Sequence, residues 1–252
     1  LIHGQASVTR GRIRIGRRRG RRRDAAGTRQ ALLAAGADLF AERGYDGVSV
    51  WEIAKRAGVN PAMISYHFGG KRKLYLAIVG STFSDIVSSV ERVAEARRPA
   101  PELLRDVIAV VSDLATRRHP HFCTMMLREV LSGGKRLEPH LVDQPVRVLA
   151  AVRRIVERGV REGAFRPVDP VLTHLSLVGS LVFFFATARF RERVLAHGRL
   201  GIAPPDAAAY VQHIQDLISH GLASRRLETH GDEAGRPSRR PPAARTNGSP
   251  PA

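Results

Sequence analysis

The side chains best placed to do chemistry lie between Ser49 and Lys71, in SVWEIAKRAGVNPAMISYHFGGK. They are hydroxyls, an imidazole, a phenol and an amine. No strand-turn-helix frames a nucleophile with a base, so the chemistry on offer is binding rather than bond-making. Ser49 is a good helix N-cap, and Glu52, three residues on, can return a hydrogen bond to its backbone N–H in a capping box. Ile53, Ala54 and Ala57 then form one apolar stripe, and Gly58 stands where a left-handed C-terminal residue is wanted. Asn60 caps a second helix, Pro61 fits its first turn, and Gly69-Gly70 ends it after Phe68. Two short capped helices around a glycine-containing turn make a helix-turn-helix, whose second helix enters the major groove of DNA.

A second cluster, His119, His121 and Cys123, has the residue types of a metal site. On a helix, a spacing of two sets neighbours about 200° apart, so the three diverge. An extended approach to the helix would let them meet. A buried helix start is expected, with no metal and no cofactor.

The elements that must position these residues follow from the rest of the chain. Its 252 residues, 43% apolar, are enough for one large or two modest cores. The net charge of +18 is unevenly spread. Residues 1–23 carry nine arginines and no acid, and residues 228–252 add a net +1, which leaves +8 for the middle. That balance favours a polyanionic partner. The single cysteine rules out an internal disulfide and suits a reducing cytoplasm. The basic N-terminus lacks the apolar core of a signal peptide, and the opening Leu1 leaves an upstream start open. The most apolar run, 175–188, is shorter than the roughly 20 residues of a membrane span, so no membrane is expected.

The periodicity is helical throughout, and no stretch alternates as a strand would. Residues 1–23 are expected to be a disordered arginine-rich tail. Helix 1 is predicted from about Ala25 to Arg43, and a long helix from Lys71 to about Ala96, across which the boundary between domains 24–75 and 76–227 falls. Trp51 lies off the apolar stripe of its helix, as a partly exposed packing residue. Five further helices are predicted: Pro101 to Arg117, His119-Pro120 to Leu131, Glu138 to Glu162, Asp169-Pro170 to about Ala196, and Asp206 to Ser224. Residues 228–252 read as a second disordered tail. The fold class is all-α, a three-helix head on a larger helical body.

The ordered series F-A-E-R-G-Y (residues 40–45), I-A-K-R-A-G-V (53–59) and Y-H-F-G-G-K (66–71) resembles the TetR family of tetracycline-repressor-like regulators. The resemblance implies DNA contact through Pro61, Ala62, Met63 and Ser65 at base edges. It implies phosphate contact through Tyr66, His67 and Lys71, with Ser49 at the start of the preceding helix. Many relatives carry a small polar residue where Met63 stands and an aromatic where Ser65 stands. Shape readout and phosphate contacts are therefore expected to carry much of the specificity.

For the body the resemblance implies ligand binding and dimerisation. A pocket would be lined by Phe122, Met125, Met126, Val130, Leu177, Leu181 and Phe184, with Arg128-Glu129 as a structural ion pair among them. The segment REGAFRPVDP (161–170) is of a kind seen just before the first dimer-forming helix. A four-helix dimer interface would use Val178, Leu181, Val182, Phe185, Ile214, Leu217 and Ile218. The expected function is a cytoplasmic, ligand-responsive repressor, not an enzyme, bound as a homodimer to a palindromic operator in double-stranded DNA and released by a small-molecule effector. The competing reading is a non-specific nucleoid-type protein in which the arginine tail does most of the binding.

Overall fold

The computed structural model describes residues 12–198 and 201–224. Those residues form ten α-helices and no named strand. In the head, α1 (Arg12–Arg43), α2 (Val50–Ala57) and α3 (Ala62–Phe68) enclose Leu32, Leu39, Phe40, Ile53, Ile64 and Phe68. The first turns of α4 (Lys71–Glu95) close that core with Leu74 and Ile78. The body consists of α5 (Ala100–Asp113), α6 (Phe122–Leu131), α7 (Pro139–Arg161), α8 (Pro170–Ala186), α9 (Ala188–His197) and α10 (Ala207–Leu222). Its largest helix pairing is α4 on α7. A single apolar cluster runs from Leu32 in the head to Leu222 at the end of α10.

Side-chain caps set four of the helix starts, at Ser49, Asn60, Asp169 and Asp206. Asp169 Oδ1 accepts from the N–H groups of Val171 and Leu172 at 2.7 and 2.9 Å, and Asp206 Oδ1 accepts from Ala209 N–H at 2.7 Å. Three boundaries differ from those read in the sequence. α1 begins at Arg12 rather than near Ala25, so residues 12–23, assigned above to a disordered tail, are helical. Arginine ranks among the better helix formers, and the glycines diluted that signal. Residues 1–11 and 225–252, the remainder of the two tails, lie outside the described residues.

α5 ends at Asp113 and widens into a single π-turn, Leu114–Arg118, closed by His119 N–H on the Leu114 carbonyl at 2.7 Å. The helix expected from Asp169-Pro170 to Ala196 is two, bent by 65° at Thr187. At the bend the Thr187 hydroxyl donates to the Phe183 carbonyl (2.7 Å), and Arg191 donates to that of Phe184 (2.8 Å). The Phe183 carbonyl also keeps the Thr187 N–H at 3.1 Å, and Arg191 supplies the Phe184 carbonyl with a donor at the bend. Among the described residues no single helix is long and apolar enough to cross a membrane.

The loop 162–169 pins the end of the body. Phe165 is buried and pairs in a single antiparallel bridge with Ala223, and Arg166 N–H donates to the Leu222 carbonyl at 2.9 Å. The Phe165 ring fits here only because residue 159 is glycine, where an added Cβ would lie 2.1 Å from the ring.

Head and body are joined by a buried charge. Glu129 of α6 is 2% exposed and accepts from the Tyr75 phenol of α4 at 2.7 Å. Arg136 approaches the same carboxylate at 3.5 Å and also pairs with Asp46 in the α1–α2 loop. Burial first, and then the Glu129 carboxylate, push the Tyr75 phenol well above its usual pKa, so it stays a donor. Arg128, expected to pair with Glu129, instead reaches the Glu42 carbonyl of α1 at 3.4 Å. On a helix, adjacent residues point about 100° apart, and here Glu129 takes the inward side.

Two apolar groups also differ from expectation. Of the expected dimer residues, Leu181 and Ile214 are buried in the chain's own core. The apolar side chains that α8 leaves exposed are Val171, Leu172, Leu175 and Phe183, and α10 adds Leu217. Of the expected pocket residues, Val130 is 68% exposed, because Glu129 takes the inward position beside it.

The Gly159–Phe165 contact yields a stability test. Gly159→Ala puts a methyl into the ring, and overpacking of this kind costs about 1–3 kcal/mol. The expected result is a lowered midpoint in urea denaturation, partly restored by Phe165→Leu in the same chain.

Candidate nucleic-acid interface

Ser49 and Glu52 close the capping box at the start of α2. Glu52 N–H donates to Ser49 Oγ at 3.2 Å, and Ser49 N–H donates to Glu52 Oε2 at 2.8 Å. The Ser49 hydroxyl also donates to Glu52, at 2.7 Å, and Arg43 holds the other carboxylate oxygen at 2.7 Å. The two Ser49 bonds, followed by Arg43, lower the Glu52 pKa to about 2. Because this folded value lies below the unfolded one, the box contributes fully above the ordinary carboxylate range and is lost as pH falls towards 2. The Ser49 hydroxyl and N–H are thus occupied within the protein. The α2 groups left without a protein acceptor are the N–H groups of Val50 and Trp51, so Ser49 sets the helix end that a phosphate would meet.

Gly58 makes the turn at φ 68°, in the left-handed region. Asn60 then caps α3, its Oδ1 accepting from Ala62 N–H at 2.8 Å and its carbonyl from Met63 N–H at 2.9 Å. Pro61 is one residue ahead of the helix, in αR conformation. With Ile64 and Phe68 buried, α3 presents Ala62, Ser65 and Tyr66 outward. Tyr66 is 75% exposed and has the His67 ring edge-on at 5.0 Å. Met63 and His67 are half-buried, and Met63 packs on the head core. Met63 therefore has a structural task beside any contact with a base.

Gly70 precedes α4 without a side-chain cap, and the first intrahelical bond is Leu74 N–H to the Gly70 carbonyl at 3.0 Å. The N–H groups of Lys71, Arg72 and Lys73 remain open at the start of a 25-residue helix, a natural phosphate seat. The Lys71 ammonium lies over the Tyr45 ring, 4.3 Å from its centroid. Tyr45 belongs to the F-A-E-R-G-Y run, and that run is the only sign in the sequence that it holds Lys71. Trp51, in the first turn of α2, is 73% exposed, more open than a packing residue.

Of the remaining candidates, His119, His121, Phe122 and Met125 line one cavity, and the others lie apart from it. That cavity lies between α1, α4 and the start of α6. Met126, Leu177 and Leu181 are packed in the core. Phe184 is held between the Tyr210 ring, stacked at 3.6 Å, and the Arg191 guanidinium at 3.8 Å. His119 bridges Thr82 (3.1 Å) and Asp85 (2.9 Å), and His121 meets Asp38 at 2.8 Å. Cys123 is buried, which pushes its pKa up to about 12, so its thiol stays protonated at neutral pH. Each of the three has its own surroundings.

An outward-facing short helix between two open helix N-termini is the geometry of a DNA-reading head. The profile described as "Bacterial regulatory proteins, tetR family" matches residues 32–78, and that described as "Tetracyclin repressor-like, C-terminal domain" matches residues 100–218. The chain belongs to the TetR family of transcriptional regulators. It is 28% identical over 199 residues to the HTH-type transcriptional repressor NicS of Pseudomonas putida, covering 77% of this chain and 92% of NicS. It is 34% identical over 98 residues to the activator FasR of Mycolicibacterium smegmatis, covering 39% of this chain and 45% of FasR.

Among solved structures, the TetR family regulator PfmR from Thermus thermophilus superposes with a TM-score of 0.60 at 27% identity, over 75% of this chain and 97% of PfmR. AibR, solved with isovaleryl coenzyme A and operator DNA, shares the fold with a TM-score of 0.58 at 21% identity, over 78% of this chain and 98% of AibR.

Two substitutions test the expected division of phosphate and base contacts in this TetR-family head. Tyr66→Ala should weaken operator and random DNA alike, by about tenfold for one lost charge-assisted bond. Ser65→Ala removes the one aliphatic hydroxyl on the outward face of α3 and should mainly lower the ratio of operator to random affinity. Fluorescence anisotropy on the two DNAs measures both effects, and an unchanged ratio for Ser65→Ala would turn the base-facing side of α3 elsewhere.

Proposed function

We propose that this protein is a homodimeric repressor that binds a palindromic operator and releases it when a small-molecule effector binds. The observation that carries this reading is the outward face of α3, set between two helix N-termini with open N–H groups. Pro61, Ala62, Met63 and Ser65 face the bases in this reading, and Tyr66, His67, Lys71 and the Ser49-capped end of α2 face phosphates. The kinship with NicS, a repressor by name, supports the sign of regulation. AibR, which holds an acyl coenzyme A and an operator, supports response to a small molecule. The protein would work in the cytoplasm, where DNA is at hand.

The division into a head of residues 24–75 and a body of residues 76–227 gives the response a route. Helix α4 runs unbroken across that boundary, so a tilt of its body end turns the head. Dimerisation has support in the apolar side chains that α8 and α10 leave in water, Leu172, Leu175, Phe183 and Leu217. Two copies paired there would present two α3 helices to half-sites roughly 34–36 Å apart.

Selection from a random DNA library with the full chain tests the reading. The expected product is one palindrome, and uniform coating of all sequences would instead mean a non-specific nucleoid-type protein. Phe183→Glu places a charge on the proposed interface, where it would be desolvated without a partner, and should yield monomers in sedimentation velocity. Deleting residues 1–23 removes nine arginines. With about half of them on phosphates, at about −0.9 each, the slope of log affinity against log salt should flatten by roughly four units. Operator and random DNA should lose affinity together.

A further inference from the structure

A half-open cavity of about 500 Å³ lies where the head meets the body. That volume is within the range of about 300–1,000 Å³ typical of small-ligand sites. One wall is α1 of the head, through Arg29, Leu33, Ala34 and Ala37. The floor is α4, through Ile78 and Val79, and the opposite wall runs from Arg118 to Phe122, with Met125 behind. Leu33, Ala37, Ile78, Val79, Phe122 and Met125 make the interior apolar.

The polar lining includes Gln30, Ser81 and Thr82, and its ionisable groups are mainly basic: Arg29 at one end of the α1 wall, and Arg118, His119 and His121 on the opposite wall, against Asp38. Arg118 reaches Asp85 at only 3.4 Å, and the Arg29 guanidinium lies over the Phe68 ring at 5.0 Å. The one acid on the lining among the described residues, Asp38 of the head, is bound to His121 of the body at 2.8 Å.

We propose that this cavity is the effector site and takes an amphipathic carboxylate, an unbranched or lightly branched apolar body of medium length ending in one acid group. The proposal rests on the regulator reading above and adds to it the place and the chemical class of the effector. The apolar body lies between α1 and α6, and the carboxylate meets Arg118 and His121. There it competes with Asp38 for the imidazole, exchanging a strap between head and body for a bond to the ligand. The ligand touches α1 directly, so its affinity depends on where the head stands, the condition for shifting the head's position.

Calorimetry on the full chain without DNA tests the site with decanoate and its uncharged counterpart decanol. One decanoate should bind per chain, with decanol about tenfold weaker or more, as expected for losing a charge-assisted contact. Arg118→Gln should bring decanoate down to the level of decanol. Ala34→Phe, at an exposed position of α1 on the cavity wall, should abolish binding of both. Equal affinity for acid and alcohol, decanoate binding retained in Ala34→Phe, or no decanoate binding would each overturn the site.

A second arm uses operator DNA from the selection above. Decanoate should weaken operator binding of the wild type about tenfold or more and leave Ala34→Phe, which binds the operator without ligand, unaffected. Operator binding indifferent to decanoate would overturn the effector role. Failure to select any operator would refute the regulator reading alone, because the calorimetry does not depend on DNA.

Discussion

A carboxylate taken out of water must be paired, and in this protein that carboxylate is Glu129. Its partners come from both parts of the molecule: the Tyr75 phenol from the helix that leaves the head, and Arg136 from the loop after α6. Arg136 then binds Asp46 and lies over Tyr45, the ring on which Lys71 rests from the opposite part of the head. The guanidinium, the phenols and the ammonium form one chain from the body to the start of α4. Moving α6 against the head would strand the Glu129 charge, at several kcal/mol for an unpaired buried ion. The head is therefore held to α6 by electrostatics as well as by apolar packing.

That constraint explains why α6 grips α1 at both ends. Near its N-terminus His121 meets Asp38, and near its C-terminus Arg128 meets the Glu42 carbonyl. Between them Phe122, Met125 and Met126 face inward, and Phe122 packs edge-on against Phe83 of α4 at 5.2 Å. α6 also packs along α8, whose far side carries the exposed apolar residues. One helix thus touches the head, the spine helix α4 and the helix proposed for dimer contact. The contacts near both of its ends border cavities lined from head and body.

The head leaves backbone donors open rather than displaying many polar side chains. Ser49 turns its hydroxyl and N–H to Glu52, and Gly70 caps nothing with a side chain, so two helix ends keep open N–H groups around α3. Backbone donors read phosphate positions and not base identity. What α3 adds at its outward face is one methyl, one hydroxyl and one phenol, from Ala62, Ser65 and Tyr66. That short set is consistent with a reader that depends on DNA shape.

The sequence by itself determined whatever is set within about four residues. Ser49 with Glu52, Asn60 with Pro61, Asp169 with Pro170, and Asp206 each fixed a helix start, because a cap and the N–H groups it satisfies belong to the same turn. The same locality made the helix-turn-helix and its family legible. What only the tertiary structure decided depends on partners far along the chain. Glu129 faces Tyr75 and Arg136 rather than Arg128, which turns Val130 to solvent and disperses the expected pocket residues. The bend at Thr187 has no glycine or proline to announce it and depends on Arg191 reaching back to Phe184. Which apolar residues of α8 remain in water was settled by packing against α6 and α7, since an apolar run alone does not say which of its faces the core will take.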